Sequence, residues 1–479
     1  MVLLGAAALA VASCSSGNGD ESTADSPAPT EVDVTAVATT TAAESVDTVA
    51  PSTTEAVDGV LEVPGEFPTI QAAVDAAVPG DLVLIAPGIY NEAVDVTTDE
   101  LTIRGLSRNE TILDGEFELD NGIRVVGAAG VAIENMTARN YTKNGFFWTG
   151  SIGYRGSYLT AIRNGDYGVY AFDSIKGQLD NSYASGSPDA GFYIGQCFPC
   201  DAVIDNVISE HNGLGYSGTN SGGNLLIVNS VFRFNRAGIV PNSGSYELCY
   251  PQRDTVIVGN VVHSNNQPDT PAIDVALLAM GNGILSAGGI RNTIERNLVF
   301  DHDKTGIGLV PFLEEDPNDD LPTKDEWDAD CATQKAAAPA TPTGALLWDS
   351  QENRVIGNVI SESRVADIAV DSAGGDLASF GNCWASNTFT TSAPLDLESL
   401  AACGAPVVTG DGWTKGGLNV VSWLAEAPTR PPSVDYKTAP LPDPPVLAEM
   451  PDAATAPAAP AVDVPFAVDL AAIAVPAKP

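Results

Sequence analysis

Positive charge is scarce in this sequence: 22 Lys plus Arg stand against 62 Asp plus Glu, a formal net charge of −40. Nucleic acid is excluded as a partner, because binding it takes clustered cations that displace phosphate counterions. Direct contact with polyanionic glycans is disfavoured too, unless a metal bridges the like charges. Only 3 His and 4 Met occur in 479 residues, which leaves little support for copper handling. Beyond the first residues no stretch offers the ~18 charge-free apolar residues that a membrane-spanning helix needs. What is present is 44% hydrophobic residues, enough for a large core, with 46 Gly and 33 Pro to make many turns.

The opening MVLLGAAALAVASC is an apolar run of small residues, too short to span a bilayer, and reads as the central part of a secretory signal. Val11-Ala12-Ser13-Cys14 resembles the lipobox of bacterial lipoproteins. That resemblance implies lipidation of Cys14 and an extracytoplasmic protein held at the cell envelope by a lipid anchor alone. An ordinary secretory signal with a chance Cys is the alternative, and no Lys or Arg precedes the apolar run. Residues 15–57 are rich in Ser, Thr, Ala, Asp, Glu and Pro without an aromatic residue. Such a segment cannot offset its ordering entropy and is expected to be a disordered tether.

Six cysteines follow Cys14: Cys197, Cys200, Cys249, Cys331, Cys383 and Cys403. In an exported chain an even number suggests disulfides. Cys197 is expected to close to Cys200, or one of them to Cys249, and Cys383 to Cys403 is a further candidate pairing; the spacing alone does not fix the connectivity. No second CxxC is present to complete a zinc knot.

Between residues 120 and 370 one pattern recurs: alternating apolar residues around an anchor, a polar residue five positions on, then Gly and an apolar–x–apolar strand. The anchors are Asn135, Tyr158, Asn181, Asn206, Ser230, Asn260, Asn297 and Asn358, at intervals of 23, 23, 25, 24, 30, 37 and 61. Gly145, Gly168, Gly191, Gly215, Gly238, Gly283 and Gly306 fill the Gly position, with Asp367 in the last copy. Intervals of 22 to 25 hold three short strands and three turns, one coil of a parallel β-solenoid. The residue after each Gly (Ile123, Phe146, Val169, Phe192, Tyr216, Ile239, Ile284, Ile307, Ile368) is apolar throughout and should face the core. The longer intervals carry surface loops.

The stretch 68–96, PTIQAAVDAAVPGDLVLIAPGIYNEAVDV, followed by LTIRG at 101–105, resembles the opening of pectin-lyase-like right-handed parallel β-helix proteins. Physically, Thr69 caps a short helix whose Ile70, Ala73, Val74 and Ala77 share one face, and Pro79-Gly80 ends it. The fold expected is all-β: a single-stranded right-handed parallel β-helix of about ten coils with a short N-terminal capping helix. Its boundaries are 58–404, with a loop insertion at 311–345 and a Pro/Ala-rich tail at 405–479 that packs along the solenoid or stays disordered.

The resemblance implies a polysaccharide partner, but the family's enzyme signatures do not transfer. Gly88-Ile89-Tyr90-Asn91-Glu92 matches an element of pectin methylesterases, in the opening strand rather than at a catalytic position. Asp301-His302 only superficially matches the pair found in pectate lyases. His211 and His302 fall in one column three coils apart, and His263 two positions earlier in its own coil. One three-His metal site is therefore excluded.

The position two after each Gly should point outward, which lines up Phe147, Tyr170 and Tyr193 as an exposed aromatic ladder suited to sugar rings, or to stabilising its own sheet. Two residues before the Gly come Lys143, Asp166 and Asp189, with the two carboxyls on adjacent coils about 5 Å apart. That spacing suits an acid beside a base, with Lys143 tuning them. It equally suits a calcium ion or a solvated surface, and no other cofactor is implied. Asp180 and Asp205 form a similar pair elsewhere; Asp173 and Arg163 are weaker candidates. The expected function is a surface-anchored, monomeric protein that binds, and in the stronger form cleaves or modifies, an extracellular polysaccharide. The alternative is a non-catalytic structural or adhesion solenoid.

Overall fold

Each repeat folds as the alternation dictates, into three short strands separated by corners. In one coil these are Ile175–Asp180, Tyr183–Ser185 and Ala190–Gly195; in the next, Ala202–Asp205, Ile208–Glu210 and Leu214–Thr219. Each strand pairs in parallel with its equivalent one coil on, so the chain builds three faces. The computed structural model describes residues 59–426, 429–462 and 465–479; the lipobox Cys14 and the tether at 15–57 lie outside the described residues. The third face is an 11-stranded sheet running from Val94–Val96 to Ser392–Ala393. The first two faces share a 20-stranded sheet, because Val131–Arg139 and Ile152–Ile162 pass through the intervening corner without a break.

The expected helix forms at Ile70–Ala76 with Ile70, Ala73 and Val74 buried. The Thr69 hydroxyl accepts from the Ala72 N–H at 3.1 Å. Glu92, from the Gly-x-Tyr-x-Glu element, accepts from the Ile70 and Gln71 N–H groups, 3.1 Å each. Its role here is to hold the cap on the first coils, where negative charge suits a helix N-terminus.

The nine apolar residues that follow the Gly column are buried, at 0–1% exposure. The glycines are set by coil spacing: a Cβ on Gly283 would lie 2.5 Å from the carbonyl oxygen of Gly306 on the next coil. Side chains are thus excluded where successive backbones touch.

The anchor column is corrected in one respect. The corner between the first two faces needs one residue in the left-handed region, and a continuous column supplies it: Asn135, Tyr158, Asn181, Asn206, Asn229, Gly259, Arg296, Gly357 and Ser386, all with φ between 49° and 69°. Gly and Asn are favoured there because that conformation costs them least. Ser230, Asn260, Asn297 and Asn358 stand one residue later. Their side chains form an internal ladder: Asn358 Oδ1 accepts from the Asn297 N–H at 2.9 Å, and Asn297 Oδ1 from the Asn260 N–H at 3.0 Å. The interval of 24 from Asn206 to Ser230 joined two neighbouring columns, since Asn206 aligns with Asn229.

The histidines shift accordingly. His211 is the left-handed residue of its corner (φ 60°) and stacks on Phe234. His302 instead ends a buried Asn212–Asn235–Asn265 ladder, with Nε2 3.3 Å from Asn265 Nδ2. Burial lowers its pKa to about 3, which makes it a neutral packing group. His263 stacks on Phe300, ring centres 4.7 Å apart.

Among the described residues three disulfides form: Cys197–Cys200, Cys249–Cys331 and Cys383–Cys403. The second ties down the insertion after the third-face strand Thr305–Val310, which opens with an antiparallel pair, Phe312–Glu314 with Leu346–Trp348. The insertion carries the helix Cys331–Ala336, whose Lys335 pairs with Asp173.

The C-terminal tail packs along the solenoid in extended form, and arginines of the coils hold it. Arg236 gives Nη1 to the Pro431 carbonyl at 2.6 Å and Nη2 to that of Pro432 at 2.7 Å. Arg163 Nη1 reaches the Tyr436 carbonyl at 3.0 Å. Near the N-terminal coils Glu449 meets Arg108 and Asn109, and Arg104, itself paired with Glu134 at 2.8 Å, binds the Ala456 and Pro457 carbonyls. The chain then turns back. Ala461 bonds Gly130, Val468, Leu470 and Ile473 cover Val203, Val228 and Val258 on the first face, and Lys478 reaches Glu362.

Candidate functional site

Alternation on the third face turns the residues beside the core column outward, and the strand register puts Arg124, Phe147, Tyr170 and Tyr193 side by side on four successive strands. The rings touch: Phe147 and Tyr170 stack with centres 4.7 Å apart, and Tyr170 meets Tyr193 edge-on at 4.8 Å. The expected ladder therefore forms, with one correction. Phe147 and Tyr170 are half-buried, but Tyr193 is 1% exposed. Its cover is the loop 243–250, which departs from the next-but-one coil. The Tyr193 hydroxyl lies 2.8 and 2.7 Å from the two carboxyl oxygens of Glu247 on that loop.

The Lys143, Asp166 and Asp189 column also forms, beginning one coil earlier at Asp120. Each backbone N–H gives to the carbonyl of the previous coil: Lys143 to Asp120 (2.8 Å), Asp166 to Lys143 (2.9 Å) and Asp189 to Asp166 (3.1 Å). Asp166 and Asp189 are thus neighbours. Burial raises the pKa of Asp166 while the Lys143 charge lowers it. Asp189 is shifted much further, to about 7, by burial first, opposed by a hydrogen bond with Tyr167 and reinforced by Asp166. Glu247 is raised to about 8, again by burial, with its bond to Tyr193 acting against the rise and Asp189 adding to it. Two carboxyl groups beside the aromatic rings therefore keep protons near neutral pH, which a general acid requires.

Tyr167 completes the cluster. It stacks on Tyr170 with centres 4.3 Å apart and planes 4° from parallel, and its centre is 5.0 Å from Tyr193. Burial holds the hydroxyls of Tyr167, Tyr170 and Tyr193 well above the usual tyrosine range, so they serve as donors rather than bases.

The surroundings are fixed. Asn220 Nδ2 gives to the Gly244 and Glu247 carbonyls at 2.6 and 2.7 Å, Gln196 accepts from the Leu248 N–H at 2.9 Å, and Cys249 is anchored to Cys331. Beyond Tyr193 the face is covered where Ala190, Leu214 and Ala237 pack with the helix Asp274–Ala279 and Val420. Phe147 and Tyr170 therefore form a platform that ends at a wall.

Glu247 and Tyr167 were not among the sequence candidates. Tyr167 could have been found, because the residue before each Gly alternates outward as well. Glu247 could not, because it lies in a loop with no counterpart in the repeat. The weaker candidates have structural partners: Asp173 pairs with Lys335, Arg163 holds Tyr436, and Asp180 meets Ser157 and Gln178. Among the described residues no group of three or more His, Cys, Asp or Glu side chains is arranged to hold a metal ion.

Residues 144–310 match the family model described as "Right handed beta helix region". No curated protein matches the chain. Among solved structures it is similar to the A-module of the Azotobacter vinelandii mannuronan C-5 epimerase AlgE4 (16% identity, 70% of this chain and 93% of that one, TM-score 0.41). Others are pectate lyase Pel9A (14%, 73% and 81%, 0.39) and an alginate lyase from Paenibacillus sp. str. FPU-7 (14%, 67% and 96%, 0.36). The parallel three-faced stack gives this chain the fold of a parallel β-helix, and residues 144–310 carry the match to the right-handed β-helix region.

Proposed function

We propose that this protein binds an extracellular polysaccharide on the third face, with Phe147 and Tyr170 seating sugar rings and Asp189 and Glu247 acting on the chain that reaches them. The observation that carries this reading is the stacked pair Phe147–Tyr170 leading to two carboxyls whose pKa values are raised to about 7 and about 8. A platform of flat apolar rings suits the CH faces of sugars, and a protonated carboxyl can donate to a glycosidic or hydroxyl oxygen. Asp166, ionised more readily than Asp189, is the partner base, and Lys143 favours its charged form. Removal of a C–H or activation of water by Asp166, with proton donation by Asp189, covers both a modifying and a cleaving reaction. Attachment through a lipid on Cys14 would present this face outside the cell, as a monomer.

The second reading, a non-catalytic adhesion or structural solenoid, draws on the cover over Tyr193 and the wall beyond it. The test is incubation of the full chain with neutral and acidic polysaccharides, with and without calcium, followed by mass spectrometry of the products. Products that vanish in Asp189→Asn support an acid at this site. Products unaffected by Asp189→Asn and by Glu247→Gln sink the site. Retention without products, abolished by Tyr170→Ala, makes the protein a binding module.

A further inference from the structure

A cavity of about 600 Å³ lies at the far end of the third face. One wall is the end of the solenoid: Ser392–Ala393, the terminal strand of the sheet, with Phe389, Thr391, Leu395 and Asp396 around it. The other wall is the start of the tail, with Asn419 and Trp423. Trp423 belongs to the helix Val420–Glu426, and Lys304 lies with Nζ 4.5 Å over its ring while pairing with Glu426. The Lys304 charge is therefore already engaged, and the cavity lining itself contains carboxylates and no cation.

The lining has two chemical characters. Phe389, Leu395 and Trp423 are apolar and broad; Thr391, Asp396 and Asn419 offer hydroxyl, carboxylate and amide groups. A pyranose has the same division, with CH faces and a rim of hydroxyls. Uronates and sulfated sugars would meet Asp396 and Glu398 without a compensating charge, which excludes them. The volume accommodates one or two sugar units.

We infer that this cavity is a second glycan-binding site, selective for uncharged pyranose units and separate from the tyrosine cluster. Seven strand-to-strand steps separate Tyr167–Phe172 from Ser392–Ala393 in the sheet order, or about 34 Å at ~4.8 Å per step. One long polysaccharide chain can engage both sites, whereas a short oligosaccharide can engage only one. The cavity stands on its own lining, so it does not depend on Asp189 or Glu247 having a chemical role.

The test is calorimetric titration of the full chain with neutral β-linked hexasaccharides of glucose, mannose, galactose and xylose, with hexagalacturonate as the charged comparison. At least one neutral hexasaccharide should bind, weakened about tenfold or more by Trp423→Ala and retained in Tyr170→Ala. Asp396→Asn, an exposed position with φ 59° that Asn tolerates, should weaken the same ligand without changing the circular dichroism. Binding that is lost in Tyr170→Ala but unchanged in Trp423→Ala and Asp396→Asn overturns this inference while leaving the third-face reading intact. Failure of all neutral hexasaccharides, or Trp423-dependent binding of hexagalacturonate alone, overturns it as well.

Discussion

Replacing Asp189 by Asn should relieve the protein of a loss of stability that develops as pH rises from about 4 to about 7. Burial among Tyr167, Asp166 and the ring cluster raises this carboxyl from 3.8 to about 7. In the unfolded chain it returns to an ordinary value near ~3.9. Between those values the folded state holds a proton that the unfolded state has released, so rising pH favours unfolding. Below about pH 4 both states are protonated and the group contributes no difference; above about pH 7 the loss is complete. At ~1.4 kcal/mol for each pH unit across that gap, the loss is about 4 kcal/mol. Glu247, raised from 4.5 to about 8, adds a contribution of the same sign. Urea unfolding of wild type, Asp189→Asn and Glu247→Gln from about pH 5 to about pH 9 checks this. The comparison between chains cancels the general repulsion of a protein with a net charge of −40. Wild type should lose about 3 kcal/mol more than Asp189→Asn over that range, nearly all of it below about pH 7, and the infrared band of a protonated carboxyl near neutral pH should diminish in the variant. Equal slopes in wild type and variant, or a wild type that gains stability as pH rises, would refute the argument.

Asn297→Ala removes the acceptor for the Asn260 N–H and the donor to the Ile257 carbonyl, both buried; thermal unfolding should show destabilisation of about 3 kcal/mol. Gly283→Ala puts a methyl 2.5 Å from a carbonyl oxygen of the next coil, and denaturant titration should show a loss of about 1–3 kcal/mol. Arg236→Ala strands the Pro431 and Pro432 carbonyls, so limited proteolysis should cut near residue 431 well before the coils are cleaved. Cys249→Ser together with Cys331→Ser should raise amide exchange across 311–348 and in the loop bearing Glu247 while leaving the coils protected.

Most of the solenoid was legible because its geometry repeats. The Gly column, the apolar residue after it and the outward residue beyond recur at a fixed offset, and one register satisfies all of them. The corner was less clear, because two adjacent positions both favour Asn, one for its left-handed backbone and one for its amide. That ambiguity moved the anchors by one residue and carried His211 into the wrong column. At the site, Phe147, Tyr170, Asp166 and Asp189 could be aligned from spacing alone, since they belong to the repeat. Glu247 could not, because the 243–250 loop is unique to one coil, and its position depends on Asn220, Gln196 and a disulfide to a residue 82 positions away. Burial of Tyr193 follows from that same loop. The tail shows no periodicity because its hold comes from carbonyl groups, which every residue has, meeting arginines that the coils supply.

The returning tail changes how the molecule should come apart. A bare solenoid couples each coil only to its neighbours, so it frays from the ends and can lose coils one at a time. Here residues 429–462 and 465–479 touch coils near Arg236, then Arg163, then Arg104, and come back past Val203 and Val258 to Glu362. Coils far apart in the stack are thereby joined through a single strand of chain that follows all of the coils in the sequence. The coils can assemble progressively as they emerge, but long-range cooperativity arrives only once this later segment has been laid down on them. Cutting the chain after the solenoid should therefore turn one sharp unfolding transition into a broad, stepwise one, even if every coil keeps its shape.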